Sequence, residues 1–310
     1  TDIYTLSLHD ALPISGSEGQ YKDKVRLALD SFSGYCVLRS EAMKKDLRDR
    51  GIKLDVTDDN ADCAARMKAL KNRDVDMAVF TVDAFIANGA ALGDFPATIV
   101  LVIDETKGAD AIVAWAEGVS SIQDLDDARA KIVATEHSPS EFLARTVIAH
   151  FNLPDLPQDW LETADGAEAV RKKFEAANRR DRKAYVLWEP EVSKALQLPG
   201  AKLLLDSSRL SGYIVDVLVA ERRFLAEKPE LVKAVVEAYL RSAYGYARSA
   251  DGMKNLVKQD AGAGALTDDQ AAKLVQGIEW KNTLENYAYF GATPAPAGAL
   301  HIEDVIGNIS

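Results

Sequence analysis

The sequence predicts an α/β fold with a mostly parallel sheet that is covered by helices on both faces. Short apolar segments with strand-like patterns alternate with longer segments of helical periodicity, and this alternation is typical of parallel sheets. The 310 residues are enough for two lobes of ordinary size. The pattern restarts after the polar segment 104–108, so we expect a boundary between lobes there.

The first half of the chain contains predicted strands and helices in alternation. Period-2 alternation or unbroken apolar character places strands at residues 24–29, 52–56, 77–80 and 97–103. Helical spacing places helices before Gly51, along 63–70 and along 82–90. The strand at 77–80 runs straight into a helix at Thr81. Such a junction exposes backbone N–H groups where α/β proteins bind ligands, although it is also an ordinary turn of a core.

The second half repeats the pattern. Apolar runs place strands at residues 111–115, 131–135, 184–188, 203–205 and 213–220. Helical spacing occurs around 170–174, from Pro229 onward, and along 253–257 and 268–277, with a connector or short helix at 121–130. Ser138 is expected to cap a helix that begins at Pro139, with Glu141 as the reciprocal acceptor of a capping box.

Composition and motif content argue against several classes of function. The net charge of −11 disfavours nucleic acid and anionic membrane surfaces as partners, and no apolar run reaches the roughly 18 residues of a membrane span. The histidines and cysteines lack metal-ligand spacing, so we expect no metal. Cys36 and Cys63 are expected to be buried thiols, with a disulfide as the alternative. The sequence has neither a phosphate-binding glycine motif nor a nucleophile elbow.

Four turns at predicted strand ends would converge on one cleft if two α/β lobes face each other. They lie at residues 33–35, 81–83, 138–140 and 188–189. Hydroxyl groups and helix-terminal N–H groups offer hydrogen bonds, and Tyr35 and Trp188 offer aromatic walls, a mixture that suits a small polar ligand. Each turn also has a structural explanation, since Ser138 can cap a helix, Asp83 can complement a helix dipole and Trp188 can be core.

In the order and context of five segments, the chain resembles the solute-binding proteins of ABC importers, in the branch related to nitrate, sulfonate, taurine and thiamine-precursor binding. The segments are Ser33-Gly34-Tyr35, residues 74–83, Gly108-Ala109-Asp110-Ala111-Ile112-Val113, Trp188-Glu189-Pro190, and residues 217–232. The resemblance covers residues 21–290. It implies a type II periplasmic-binding fold, in which two Rossmann-like lobes with mixed, mostly parallel sheets are joined by two crossover segments.

The resemblance also implies a division of the chain and a function. Lobe 1 would comprise residues 21–104 and 212–290, and lobe 2 residues 105–211, with crossovers near 105–110 and 208–213. A small solute would bind between the lobes, which close by hinge motion and present it to an ABC permease in the membrane. We therefore expect a monomeric, periplasmic or otherwise extracytoplasmic receptor that is not an enzyme and has no cofactor.

The candidate ligand-binding residues lie in the turns that match the family. They are Ser33, Gly34, Tyr35, Thr81, Asp83, Ser138, Ser140, Trp188 and Glu189. Asp216 joins them because it interrupts an otherwise apolar strand beside the second crossover, and an unpaired buried carboxylate there would be costly.

The charge of this region departs from the family pattern, because a nitrate or sulfonate site would favour amide, arginine and lysine donors. The carboxylates near the expected cleft are Asp83, Glu105, Glu189 and Asp216, and the nearby cations are Lys107 and Arg145. If the carboxylates face the ligand, an amine or another cationic or hydrogen-bonding solute is favoured. If they pair with the two cations, an anion remains open.

The two ends of the chain do not fit this pattern. Residues 1–20 are expected to be a non-native or disordered tail, since residues 1–15 resemble the translated read-through of a sequencing adapter, in which case a signal peptide is missing. Residues 291–310 are expected to be a linker towards an OmpA-like domain. Two rival functions stay open: a ligand-sensing or cell-wall-associated module fused to such a domain, and an enzyme similar to the thiamine-pyrimidine synthases, whose cysteine-rich motif the sequence lacks.

Overall fold

The computed structural model describes residues 21–209, 212, 214–293 and 301–309, so the expected tail at 1–20 lies outside the described residues. The strands, in chain order, are β1 (Asp23–Leu29), β2 (Ile52–Asp58), β3 (Met77–Thr81), β4 (Ala97–Thr106), β5 (Asp110–Trp115), β6 (Lys131–Ala134), β7 (Leu161–Thr163), β8 (Lys183–Trp188), β9 (Ala201–Asp206), β10 (Val215–Glu221) and β11 (Ile278–Trp280).

The helices are α1 (Cys36–Arg39), α2 (Glu41–Asp49), α3 (Cys63–Asn72), α4 (Val82–Leu92), α5 (Pro139–Phe151), α6 (Ala167–Ala176), α7 (Glu191–Ala195), α8 (Arg222–Glu227), α9 (Pro229–Arg248), α10 (Gly252–Asp260), α11 (Asp268–Gln276), α12 (Thr283–Tyr289) and α13 (Ile302–Ile309). Short 3₁₀ turns occupy Ser33–Tyr35, Ile122–Leu125 and Ser207–Arg209. Among the described helices, none is long and apolar enough to cross a membrane.

The strands form two sheets, one in each lobe. In lobe 1 the order is β11-β4-β10-β3-β1-β2, with β1 parallel to β2 and β3 and with β10 antiparallel to β3 and β4. In lobe 2 the order is β7-β6-β8-β5-β9, with β6 parallel to β7 and β8 and with β5 antiparallel to β8 and β9. Most strands in each sheet run in one direction, so the predicted class of two α/β lobes with mixed sheets is confirmed.

The central strands of lobe 1 hold its helices in place. Every residue of β3 and β10 is buried, and successive side chains of a strand face opposite sides of the sheet. Val217 and Val219 share an apolar cluster with residues of α3 and α4. Leu218 and Ala220 share another cluster with residues of α2 and α9. Helices on both faces of the sheet therefore explain why β3 and β10 are buried along their whole length.

The chain crosses between the sheets twice, once between β4 and β5 and once between β9 and β10. The side chain of Ser207 joins the two crossings, because its Oγ accepts hydrogen bonds from the backbone N–H of Gly108 at 2.8 Å and of Asp110 at 3.3 Å. Gly108 has a φ of 119°, a conformation that favours glycine. Residues 210, 211 and 213 of the expected second crossover lie outside the described residues.

The end of the chain differs from the expected linker at 291–310. Residues 302–309 form α13, and its Ile302 and Val305 are buried in the apolar cluster that includes α4. Apolar residues three and four positions apart give this helix a face that packs onto lobe 1. The Ala- and Pro-rich composition upstream concealed that spacing, and residues 294–300 lie outside the described residues. Cys36 and Cys63 are buried free thiols, so the alternative of a disulfide is wrong.

Helix α5 begins as predicted but with a different second contact. Ser138 is the N-cap residue, and its Oγ accepts from the backbone N–H of Ser140 at 3.2 Å. The expected reciprocal bond from Glu141 to Ser138 is replaced, because the Glu141 carboxylate accepts from the backbone N–H of His137 at 2.7 Å and pairs with Arg145. His137 has a φ of 54°, and this turn of the chain directs the His137 N–H towards the Glu141 carboxylate.

Replacement of Ser138 by alanine should lower the free energy of unfolding by about 1 kcal/mol, because the N-cap oxygen is lost. The matched control is Ser140→Ala, whose equally buried hydroxyl makes only a 3.5 Å contact with the carbonyl of Val186. Urea unfolding of both variants measures the difference. Equal losses in the two variants would contradict the capping assignment.

Candidate functional site

A cavity that is partly open to solvent lies between the lobes, at the edge where β1, β3, β6 and β8 end. Strand β10 runs in the opposite direction and therefore begins at this edge, as does β5 of the other lobe. The space is about 390 Å³, counted with the part that is open to solvent, and its innermost part has room for about one water. Both sheets thus contribute chain ends to one small space.

Five of the ten predicted residues line this cavity. They are Tyr35, Thr81, Ser138, Trp188 and Asp216. The other five are buried near it without lining it: Ser33, Gly34, Asp83, Ser140 and Glu189. Each of the four predicted turns contributes a residue to the cavity wall, but half of the ten predicted residues do not line the cavity.

Two of the residues behind the wall have clear structural roles. A Cβ on Gly34 would lie 2.3 Å from the Phe32 ring and 2.5 Å from Oδ2 of Asp104, so only glycine permits this close approach. The Glu189 carboxylate accepts from the backbone N–H of Ser193 at 3.0 Å and from its hydroxyl at 2.8 Å. Glu189 therefore stabilises the start of α7 and is not directed at the cavity.

The lobes contact each other directly around the cavity. The backbone N–H of Ser33 donates to the carbonyl of Glu189 at 3.2 Å, and the Asn88 side chain donates to the carbonyl of His137 at 3.2 Å. A third bond, from the Gln270 side chain to the carbonyl of Ser193 in lobe 2, is 3.4 Å long. These bonds define a closed arrangement of the two lobes.

Buried polar atoms without a hydrogen-bond partner are concentrated at this edge. Within the described residues they are Thr81 Oγ1, Asp83 Oδ1, both carboxylate oxygens of Asp104, Asp110 Oδ2, Thr135 Oγ1, Trp188 Nε1 and Asp216 Oδ2. Buried polar groups in proteins are almost always bonded, so their concentration at this edge makes it the candidate site.

Asp104 and Asp216 form a carboxylate pair behind and beside the cavity. The two residues lie opposite each other in the register of β4 and β10, and the Tyr35 hydroxyl donates to Asp216. Burial raises the pKa of Asp104 to about 7, although a hydrogen bond with Asp216 opposes part of that rise, and burial together with the nearby Asp104 carboxylate raises the pKa of Asp216. Two adjacent buried carboxylates hold a shared proton most readily.

Asp110 and Asp83 also titrate well above their ordinary range. Burial raises the pKa of Asp110 to about 7, and the nearby carboxylates of Asp83 and Glu189 add to the shift. Burial raises the pKa of Asp83 to about 6, and backbone N–H groups at the start of α4 oppose part of that rise. The site therefore has several carboxylic acids that can gain or lose a proton near neutral pH.

The two cations expected near the cleft are engaged elsewhere. Lys107 pairs with Glu279 and lies 3.8 Å from Glu105. Arg145 pairs with Glu141 on its own helix. Neither is paired with Asp83 or Asp216 in the described residues, so the interpretation in which they neutralise the cleft loses its basis.

Two important residues of the cavity wall were not predicted. Asp110 opens the buried strand β5, which is the same signal, a carboxylate in an apolar strand, that identified Asp216. Arg66 lines the cavity, and its guanidinium binds Asp59 at 2.7 Å and Asp30 at 3.0 Å. Its spacing with Cys63 and Leu70 on one face of α3 was a usable signal, since a cation within an apolar face must be paired.

No protein-family model matches the sequence, and a search of curated proteins finds no match. Many solved structures do match. The alkanesulfonate-binding protein SsuA from Xanthomonas axonopodis, bound to MOPS, aligns with a TM-score of 0.66 and 15% identity over 83% of this chain and 86% of that one. The chain has the fold of the periplasmic solute-binding proteins.

Two further structures share this fold. The ligand-binding component of an ABC-type import system from Staphylococcus aureus, with zinc bound, has a TM-score of 0.66 and 12% identity over 93% of this chain and 99% of that one. The periplasmic nitrate-binding protein NrtA from Synechocystis has a TM-score of 0.62 and 11% identity over 92% and 88%. Within the described residues, no group of His, Cys, Asp or Glu side chains is arranged to hold a metal ion.

Replacement of Asp110 by asparagine should stabilise the protein at pH 8 and have little effect at pH 4. Because the folded-state pKa of about 7 lies above the ordinary value of 3.8, the wild-type chain loses stability as the pH rises from 4 through 7. The variant has no charge to bury, and its advantage should reach about 1–4 kcal/mol. Chemical unfolding at both pH values measures it. A constant difference would contradict the raised pKa.

Proposed function

We propose that the chain is the extracytoplasmic solute-binding receptor of an ABC importer, as a monomer that captures a small polar solute between its lobes. One observation carries this proposal: a cavity between two α/β lobes, at an edge where buried polar atoms have no partner within the described residues. A bound solute would supply those partners, and their absence from the protein itself is costly.

In this proposal, binding and closure are one process. Hydrogen bonds such as those from Ser33 to Glu189 and from Asn88 to His137 form only when the lobes meet, so a solute that bridges the lobes favours the closed form. The adjacent crossings at Gly108 and Ser207 would act as the hinge. The closed form would then be recognised by a membrane permease. Nitrate and alkanesulfonate are named for two proteins of this fold, which supports a small polar solute.

A thermal-shift screen tests the receptor function. The panel contains amines, amino acids, sulfonates, phosphate, nitrate and pyrimidines. A ligand present at about 100 times its dissociation constant should add about 2.7 kcal/mol to the stability of the folded protein, which raises the melting temperature by several degrees. A folded protein that responds to no compound would argue against the receptor function.

The variant Trp188→Phe tests the position of the solute. Trp188 is 4% exposed and packs in the core. Truncation to alanine would therefore unfold the protein and could not report on solute binding. Phenylalanine keeps the ring and removes the unpartnered Nε1–H. We expect a modest loss of stability, because the smaller ring leaves a void, and roughly 3–10-fold weaker binding of the compound identified by the screen.

The matched control is Trp115→Phe, at a second buried tryptophan. The Nε1–H of Trp115 donates to the carbonyl of Phe174 at 2.9 Å, within lobe 2. Its removal should cost about 1 kcal/mol of stability and leave solute affinity unchanged. Weaker binding in Trp115→Phe together with unchanged binding in Trp188→Phe would show that the solute does not contact Trp188.

A further inference from the structure

The cavity wall has more acceptors for hydrogen bonds than the protein fills. Oδ2 of Asp110 belongs to a residue that lines the cavity and has no partner in the described part of the chain. The Asp216 carboxyl, which accepts from Tyr35 and shares a proton with Asp104, also lines the cavity. The two residues are 2% and 1% exposed, and they come from different lobes. A ligand between the lobes therefore meets carboxylate oxygens on both sides.

The nearby cations are already matched by other carboxylates. Arg66 binds Asp59 and Asp30, so this one positive charge faces two negative ones. Lys281 pairs with Glu105 at 3.1 Å and with Glu279 at 3.0 Å. An anionic solute would enter beside Asp110 and Asp216 with no unpaired cation among the described residues to receive it, and it would be repelled by whichever of the two carboxyls is ionised.

The same wall also presents donors. The indole N–H of Trp188 is buried without an acceptor in the described residues, and the hydroxyl of Thr81 is likewise unpaired. Both residues line the cavity. A ligand that satisfies every unpaired group must therefore donate to the carboxylates at one end and accept a hydrogen bond at the other.

We infer that the solute is a small organic cation with N–H donors, a protonated primary or secondary amine or a guanidinium, which also carries a hydrogen-bond acceptor. This inference rests on the proposed receptor function and names the class of solute for the same site. A quaternary ammonium ion would fit the aromatic wall, but it has no N–H to donate to Asp110 and Asp216.

Binding of such a cation is linked to loss of a proton. Because the pKa of Asp110 is raised to about 7, the empty site is largely protonated at pH 5, and an ammonium group must displace that proton. The charged and titratable groups around Asp110 and Asp216 are Asp30, Tyr35, Arg66, Asp83, Asp104, Glu105, Glu189 and Lys281. Affinity should therefore rise about tenfold per pH unit from pH 5 to pH 7 for one displaced proton.

Isothermal titration calorimetry with matched probes tests the inference. The probes share the skeleton HO–CH₂–CH₂–X, where X is ammonium (ethanolamine), hydroxyl (ethylene glycol), sulfonate (isethionate) or trimethylammonium (choline), and their three-carbon homologues complete the set. We expect the primary amines to bind at least tenfold more tightly than the other members, with release of about one proton at pH 6. Titration in two buffers of different ionisation enthalpy measures that proton.

The variant Asp110→Asn should weaken ethanolamine binding at least tenfold at pH 7.5 and abolish most of the proton release. The control Asp155→Asn makes the same change at an exposed position of lobe 2 and should leave both unchanged. Tighter binding of isethionate or ethylene glycol would overturn the cationic class while leaving the receptor function intact, and equal binding of choline would overturn the N–H requirement. Failure of every probe to bind would overturn the inference, and the wider thermal-shift screen would decide separately whether the receptor function fails with it.

Discussion

Burial of carboxylic acids at the edge where two sheets meet is the constraint on which the rest of the site depends. Asp104 and Asp216 face each other across β4 and β10 with almost no exposure, where an ionised pair would be strongly unfavourable. A shared proton and the Tyr35 hydroxyl reduce that cost. Asp110 of the opposite lobe has the same difficulty, which a hydrogen bond with Thr106 reduces only in part, so a ligand that donates to it gains more there than it would in water.

The architecture of the fold brings these groups together. Strand β10 runs against its neighbours, so its first residues reach the edge where β3 ends. The absence of a side chain at Gly34 lets the turn after β1 approach Asp104. The bonds from Gly108 and Asp110 to Ser207 hold the two crossings side by side, which fixes where lobe 2 begins relative to the carboxylates of lobe 1.

Neighbouring acidic residues of the same region have different roles, and these roles follow from partners that are distant in sequence. Glu189 accepts a hydrogen bond from the Ser193 hydroxyl in α7, and Glu105 pairs with Lys281, which lies 176 positions further along the chain. Asp110 and Asp216 instead line the cavity. The carboxylates with protein partners contribute to the fold, whereas the other two give the cavity its chemical character.

The sequence by itself determined the class of fold, most of its strands, the capped start of α5 and the turns that meet at the cleft, because strand and helix periodicity and capping residues act over a few positions. It did not reveal three-residue strands such as β11, which are too short for a periodic signal. Nor could it separate Glu189 from Asp216 or find the partners of Lys107 and Arg145, since those depend on contacts between segments far apart in the chain. Only the tertiary structure decided which carboxylates remain unpaired, because burial and pairing are properties of the assembled lobes.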